Sequence, residues 1–534
     1  MSRHRLAALA GPVLLLLLLT VVALIARPLT PIDETRYVSV AWEMWQKGEF
    51  LVPFKNGEPY SHKPPLLFWL YQLGWVIFGV NDWWPRLVSP LFSLGSLLLT
   101  FSVASRLWPD DPDVQRRAAW LLSACALWMA FSTMAMFDVM LAFFVLLGAR
   151  GLLIAARDSL FRGFVWLAVA FGLGILAKGP VVLLHLMPVA LLAPWWRGID
   201  GFAWRRWYLG LLLALLGGAA LALAWAIPAG LHGGEEYRAA IFWGQTANRM
   251  VDSFAHRRPI WWYLPWLPLL LFPWSLWPGF WRRLLAMRQE GLDGGQRFCL
   301  AWMLPAFMAF TLISGKQVHY LVPLVPAFAL LAARLLAKGG TGGLGFPALL
   351  VALVALAMLA SSLAGLPDRF AVETDLPLWP PIVLSSMVGL VVRLGSLEQR
   401  RVPSLALLAA STLACLQLFL APILWKIYDV RPLAQTIRTL QDRGVPVAHL
   451  GKYHAQFQFA GRLDEPLEQL DEGDLPAWLE RHPTGAIVTY SDHWDRPAGA
   501  LFGQPYRGGF AVLLDAGAMR RPKEPAPALG QSAR

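Results

Sequence analysis

Charge is scarce in this chain. Only 15% of its 534 residues are Asp, Glu, Lys or Arg, whereas soluble domains carry roughly a quarter, and this shortage excludes a water-soluble globular protein. Cysteine is scarcer still. The three, Cys125, Cys299 and Cys415, sit in apolar segments without the spacing of a metal knuckle or redox pair, so they read as small core residues. The sequence has no Ser-His-Asp motif, no Walker loop and no GxGxxG placed after a strand. No repeat of solenoid period appears. Acids are outnumbered 34 to 46, a net charge of +12, but the bases lie between apolar blocks and not along a stripe. That placement is the positive-inside pattern and argues against nucleic acid as a partner.

What the chain does have is apolar length. It is 57% hydrophobic, in blocks of roughly 17–25 residues, the length that crosses a bilayer. Arg3, His4 and Arg5 precede an apolar run over 6–25, read as an uncleaved first helix with a cytoplasmic N-terminus. Further spans are predicted near 84–105, 118–136, 138–156, 163–177, 179–194, 208–228, 263–280, 298–313, 318–336, 345–364, 379–396 and 404–424. Every second junction is basic, so about thirteen transmembrane helices fit, with the C-terminus outside. Among the 27 tryptophans, pairs at segment ends such as Trp83-Trp84, Trp195-Trp196 and Trp261-Trp262 form an aromatic belt. The fold class is a polytopic α-helical membrane protein carrying a small C-terminal α/β soluble domain. The membrane part is placed at 1–425, with outside loops at 27–82 and 229–262, the α/β domain at 426–519 and a disordered Pro/Ala-rich tail at 520–534. Within the domain, 431–441 and 467–481 read as helices and 445–450, 486–490 and 510–514 as strands.

Both outside loops are polar and basic, against the charge rule, and an anionic ligand is the simplest reason. The first loop opens with Asp33-Glu34 and closes with Lys63-Pro64-Pro65. Its segment 34–46 reads as an amphipathic helix with Val38, Trp42 and Trp45 on one face, lying in the interface. Asp33 and Glu34 suit either a helix first turn or a catalytic carboxylate. Asp138 is the only acid in the apolar stretch 134–147, an N-cap or an acid facing the same cavity. Lys63 is held extended by the prolines and suits a phosphate contact or an interfacial snorkel. Lys178 in AKGP reads equally as a turn lysine, and Lys316 and Tyr320 in SGKQVHY as phosphate donors or interface anchors. The second loop offers Arg249, His256, Arg257 and Arg258. His62 and His256 are candidate ligands for a divalent metal such as Zn if the loops meet.

The runs DETRY at 33–37, EMWQKGEFLVP at 43–53, NGEPYSHKPPLLFWLY at 56–71 and VNDWWPRLVS at 80–89 resemble the opening of the ArnT-type aminoarabinose transferases, within the GT-C glycosyltransferases that include the protein O-mannosyltransferases. The likeness continues at Phe137–Met140, Leu176–Gly179, Asn248-Arg249, His256–Pro259 and KQVHYLVPLVP at 316–326. It implies a GT-C fold and transfer of a sugar from undecaprenyl phosphate to an acceptor at the periplasmic face of the bacterial inner membrane. The sugar implied is 4-amino-4-deoxy-L-arabinose and the acceptor a lipid A phosphate. It also implies a catalytic Asp33 with Glu34 and Asp138 beside it. Carrier-phosphate contacts are implied from Lys63, Tyr320 and an arginine among Arg249, Arg257 and Arg258, and Arg36 and Lys316 are further candidates for the same phosphate. His62 departs from the acid common before the lysine, which bears on any metal and on the acceptor. The partners are thus a polyprenyl-linked donor, lipid A or another periplasmic acceptor, and membrane lipids. The rival expectations are a GT-C transferase of another sugar to a glycan or protein, an inactive or accessory homologue, and a lipid or solute transporter. Charge gathered in loops instead of at the midplane disfavours the last.

Overall fold

The computed structural model describes residues 3–244, 257–365, 374–493 and 499–519. Helix α1 (Arg3–Ala26) is the first apolar span. It delivers the chain to α2 (Asp33–Lys47), whose first turn holds Asp33 and Glu34, the charges that favour a helix N-terminus. Gly48 ends α2 at φ +63, a left-handed cap whose N–H meets the Met44 and Trp45 carbonyls. A minimal hairpin follows, β1 (Phe54–Lys55) and β2 (Glu58–Pro59). Its turn is Asn56-Gly57, both at positive φ, the dipeptide that matches the twist of a two-residue hairpin.

The bundle continues through α3 (Leu66–Phe78), α4 (Trp83–Leu107), α5 (Pro112–Ser123), α6 (Ala126–Phe131), α7 (Asp138–Arg157), α8 (Leu160–Lys178), α9 (Val181–Leu191) and α10 (Trp204–His232). It resumes with α11 (Gly294–Leu312), α12 (Val325–Ala337), α13 (Gly345–Ala364), α14 (Trp379–Leu394) and α15 (Arg401–Tyr428). Among the described residues eight helices are long and apolar enough to cross a membrane, and α3, α9 and α14 are shorter apolar helices. Helix α7 is the buried centre of the bundle. It meets α8 so closely that a Cβ on Gly163 would lie 2.2 Å from the Ala155 nitrogen, the small-residue contact by which membrane helices approach.

Three predicted spans are not single helices. The span at 118–136 breaks into α5, α6 and an irregular stretch over 132–137. That at 263–280 becomes short turns, Ile260–Trp266, Leu267–Leu270 and Trp274–Leu276, before a helix Pro278–Glu290. Pro265, Pro268, Pro273 and Pro278 explain it, since each removes a helical donor. The span at 318–336 begins as a tight 3-10 turn, Val318–Leu324, containing Pro323.

The C-terminal part is a five-stranded mixed sheet in the order β4-β3-β5-β7-β6, built from β3 (Val447–Leu450), β4 (Glu468–Leu470), β5 (Ala486–Ser491), β6 (Ala500–Tyr506) and β7 (Gly509–Asp515). β3 runs parallel to β4 and β5, and β7 antiparallel to β5 and β6. Helix α16 (Arg431–Asp442) packs its apolar stripe, Leu433, Ala434 and Ile437, beneath it. The predicted helix over 467–481 divides into β4 and a helix Leu475–Arg481, and β6 was not anticipated. The segment 520–534 lies outside the described residues.

This unit corrects the interfacial placement of α2. Phe459 donates its N–H to the Ser39 hydroxyl at 3.1 Å, Trp42 Nε1 donates to the Leu463 carbonyl at 3.2 Å, and Gln46 donates to Asp464 at 2.7 Å. Trp75 stacks on Phe459 at 5.4 Å, with Trp42 and Trp45 edge-on to Trp75. Helix α2 is therefore held between the bundle and the sheet unit, so the tryptophan face has protein and not lipid against it.

Candidate active site

Asp33 and Glu34 are adjacent in sequence and have opposite surroundings. Glu34 is fully buried. It pairs with Arg27 and accepts N–H bonds from Thr30 at 2.9 Å and Ala135 at 2.7 Å. Burial opposes its ionisation, but Arg27 and the two backbone donors prevail and hold the carboxyl below its ordinary 4.5. Arg27 also donates to the Thr133 carbonyl at 2.7 Å, and Ser89 to that of Met136 at 3.2 Å. These side chains satisfy the non-helical backbone over 132–137, the condition for an irregular segment at membrane depth. That segment ends at Asp138, so the Arg27–Glu34 pair sets where α7 starts. Glu34 is thus held in a buried ion pair.

Asp33 is partly exposed and ion-pairs with Arg36. Arg36 also lies 5.2 Å from the Tyr37 ring centroid and interacts with Tyr60. Arg36, assigned from sequence to the carrier phosphate, therefore sits on the Asp33 carboxylate.

Asp138 is buried and ion-paired with Lys178 across the α7/α8 hairpin. His319 and Lys63 act on the same carboxylate, and Asp33 acts on His319. The Lys178 ammonium stands 5.1 Å from the Tyr320 ring centroid, and Lys63 stands 5.7 Å from that of Phe137. Phe137 is the hub of an aromatic wall, 4.8 Å from Tyr37 and 5.6 Å from Phe68. His319 and Tyr320 reach this point because the 3-10 turn at Val318–Leu324 turns them inward, His319 against Phe131 at 5.8 Å. The fold thus gathers Asp33, Lys63, Asp138, Lys178, His319 and Tyr320 from five separate stretches.

Lys316 has a different duty from the one expected. Its ammonium is buried and donates to the carbonyls of Ile313 at 2.6 Å and Arg258 at 3.1 Å. With the Arg257–Gly315 bridge and the Arg258 N–H on Ser314 at 3.0 Å, it fixes the chain beside Val318–Leu324. The side chains of Arg257 and Arg258 remain exposed there, Arg258 lying 5.8 Å from the Trp262 ring. Arg249 and His256 lie outside the described residues. His62 is exposed and packs against Tyr60 at 5.2 Å. Among the described residues no group of three or more His, Cys, Asp or Glu gathers as a metal site.

Lys178 and His319 are the residues that the ranking by sequence left out. Lys178 carried a signal, a cation at a turn between two apolar helices, and its partner is the isolated acid Asp138. His319 carried none, since its approach depends on the 3-10 geometry. A cleft of about 290 Å³ between the ends of α1, α4 and α15 and the sheet unit is lined by Thr35, Arg86, Arg431 and Arg462, and includes none of these six residues.

Residues 62–229 match a family model described as dolichyl-phosphate-mannose-protein mannosyltransferase. Over 351 residues the chain is 32% identical to an undecaprenyl phosphate-alpha-4-amino-4-deoxy-L-arabinose arabinosyl transferase of Pseudomonas aeruginosa, covering 61% of this chain and 61% of the relative. A protein of the same description from Erwinia tasmaniensis is 30% identical over 345 residues, 62% of this chain and 59% of the relative. The chain thus spans about three fifths of the length of the curated relatives it matches. A crystal structure of ArnT from Cupriavidus metallidurans bound to undecaprenyl phosphate superposes with a TM-score of 0.74 at 19% identity, covering 96% of this chain and 99% of that one. The protein is related in sequence to these transferases and has the GT-C fold of that structure.

Proposed function

We propose that the protein is a glycosyltransferase that moves a sugar from a polyprenyl phosphate, undecaprenyl phosphate, to an acceptor phosphate, with 4-amino-4-deoxy-L-arabinose as the sugar and lipid A as the acceptor. The observation that carries this reading is the convergence of Asp33, Lys63, Asp138, Lys178, His319 and Tyr320 at one end of an apolar bundle. A phosphate leaving group needs fixed positive charge where its own charge grows. Lys63 and an exposed arginine of the 257–258 bridge supply it. Lys178 is neutralised by Asp138, so this pair holds the pocket's shape more than it adds charge.

An acceptor phosphate oxygen attacks the anomeric carbon. The bond from that carbon to the carrier oxygen breaks, and its electron pair stays with the carrier phosphate. Among the described residues no side chain of the cluster is needed as a separate nucleophile, and one displacement with inversion accounts for the transfer. The acceptor is already an anion, so Asp33 orients it through Arg36 more than it removes a proton.

The site faces the periplasm and the N-terminus the cytoplasm. In support, the opposite end of the bundle holds Arg106, Arg117, Arg334, Lys338 and Arg401, tied together by pairs such as Arg334 with Asp111 at 2.9 Å and Asp293 at 2.8 Å. The test is mass spectrometry of lipid A from cells with the wild-type protein, with Asp33→Asn and with neither. A pentosamine on a phosphate, present only with the wild type, is expected. Unmodified lipid A from a well-expressed wild type would overturn the acceptor assignment.

A further inference from the structure

The cleft between the ends of α1, α4 and α15 and the sheet unit holds charges of both signs that do not neutralise one another. Asp82, Arg86, Arg431 and Arg462 line it, with Trp425 and Asp429. One pair closes among them, since Arg431 grips Asp429 through two bonds of 2.7 Å.

The other three charges are held apart. Arg86, buried on α4, donates to the carbonyls of Ala23 at 2.5 Å, Leu24 at 3.3 Å and Arg27 at 2.9 Å. It is therefore pinned on the negative end of α1, and its Nε has no acceptor among the described residues. Arg462, from the sheet unit, donates to the Phe459 carbonyl and lies 3.7 Å from the Phe459 ring centroid and 5.6 Å from that of Trp42. Asp82 precedes α4, is exposed and makes no capping bond there. Among the described residues none of these three joins an ion pair, in contrast to Arg431 with Asp429. Helix capping explains where Arg86 points, and ring packing explains Arg462. Neither explains an acid and two bases lining one cleft with no counter-charge taken.

The cleft stands at the end of a lipid-facing surface. Leu14, Leu17, Leu18, Val21 and Ile25 form an exposed apolar stripe along α1, and Pro28 and Leu29, just past its end, line the cleft. Trp425 Nε1 donates to the Ile25 carbonyl at 2.9 Å, so an interfacial tryptophan joins the stripe to the cleft wall. The volume is about 290 Å³, near the lower limit of ligand pockets, roughly 300 Å³. That suits a phospholipid headgroup and is small for a disaccharide glycolipid.

We propose that this cleft binds the headgroup of a zwitterionic phospholipid, phosphatidylethanolamine, with its phosphate on Arg462 and Arg86 and its ammonium on Asp82. The arginine fork matches phosphate oxygens, and a carboxylate matches the ammonium. An anionic headgroup such as phosphatidylglycerol satisfies the arginines and leaves Asp82 open. The acyl chains lie along the α1 stripe. Asp82 and Arg86 belong to the bundle and Arg462 to the sheet unit, so the lipid bridges the two. The site is separate from the transfer chemistry and does not rest on the transferase reading.

The experiment is native mass spectrometry of the purified full chain in detergent, with phosphatidylethanolamine or phosphatidylglycerol of the same acyl chains. The wild type is expected to retain a single phosphatidylethanolamine with about tenfold preference, the size that charge-assisted contacts give. Its melting midpoint is expected to rise with that lipid, as for any ligand of the folded state. Asp82→Asn is expected to lose the preference while still binding phosphatidylglycerol, and Arg462→Gln to lose both lipids. Wild-type retention of phosphatidylglycerol equal to or above that of phosphatidylethanolamine would overturn the proposal, as would a preference that survives Asp82→Asn. Should Arg462→Gln not fold, Asp82→Asn, which alters an exposed side chain, decides alone.

Discussion

The two ends of the helical bundle use the same residue types in opposite ways. At the basic end, several cations are tied to acids and carbonyls. Arg334 lies between Asp111 and Asp293, Arg117 donates to Asp113 and to the Leu336 carbonyl at 2.7 Å, and Lys338 pairs with Glu290. At the other end, two adjacent acids have opposite surroundings. Glu34 is sealed under α2 with Arg27, while its neighbour Asp33 is partly exposed with Arg36. Paired and carbonyl-capped charge holds helices in place. Charge left open at a fixed position is available to a ligand.

The largest effect that separates these roles is expected from the sealed pair. Glu34→Gln leaves Arg27 buried without a counter-ion and loosens the backbone over 132–137. Losing one partner of a buried pair costs about 3–5 kcal/mol, so the variant is expected to fall sharply in folded yield and thermal midpoint, measured by fluorescence size-exclusion. A normal yield with normal melting would remove Glu34 from the structural side of the comparison. Asp33→Asn gives the complementary pattern. Turnover falls by about two orders of magnitude or more, the size typical of losing a group that orients a reactant, while the melting midpoint stays within a degree or two. If Asp33→Asn melts as early as Glu34→Gln, the distinction between the neighbours fails.

Acidity sharpens the same contrast. Folding lowers the Glu34 carboxyl below 4.5, so the unfolded chain binds more protons than the folded one. Its stabilising contribution is fully present above 4.5 and is lost as pH falls through the lower folded value. The wild-type midpoint is therefore expected to drop below pH 4.5, and Glu34→Gln, already destabilised, to drop less steeply there. Parallel curves for the two proteins would assign the acid sensitivity to other carboxylates.

Much of this arrangement was legible in the sequence, and the residues show where legibility ended. The span over Gly345–Ala364 was read to the residue because nothing interrupts its apolar run. The spans around 118–136, 263–280 and 318–336 misled because apolar length says nothing of backbone satisfied by Arg27, Glu34 and Ser89, or of what prolines do at 265, 268, 273, 278 and 323. Asp33, Lys63 and Asp138 stood out as charges in apolar surroundings. Glu34 stood out for the same reason and is buried with Arg27, since only tertiary contacts distinguish a sealed carboxylate from an open one. The Asn56-Gly57 turn was a usable local signal for the hairpin that carries Lys55 to the sheet unit.

The smallest expected effect tests the basic end. Arg334 joins α12 to Asp111 and Asp293, but its guanidinium and both carboxylates are about a quarter to a third exposed. Exposed pairs contribute about 0.2–1 kcal/mol each, so Arg334→Gln should lower the midpoint by only a few degrees. Its kcat should match the wild type, because the residue touches nothing at the site. The pairs are also screened by salt, so the difference in midpoint between Arg334→Gln and wild type should shrink as ionic strength rises, whereas the Glu34→Gln deficit, arising where water and ions do not reach, should persist. A salt-independent loss at Arg334 as large as that at Glu34 would mean the basic end is locked as tightly as the site end, and exposure would no longer explain which charges the protein leaves open.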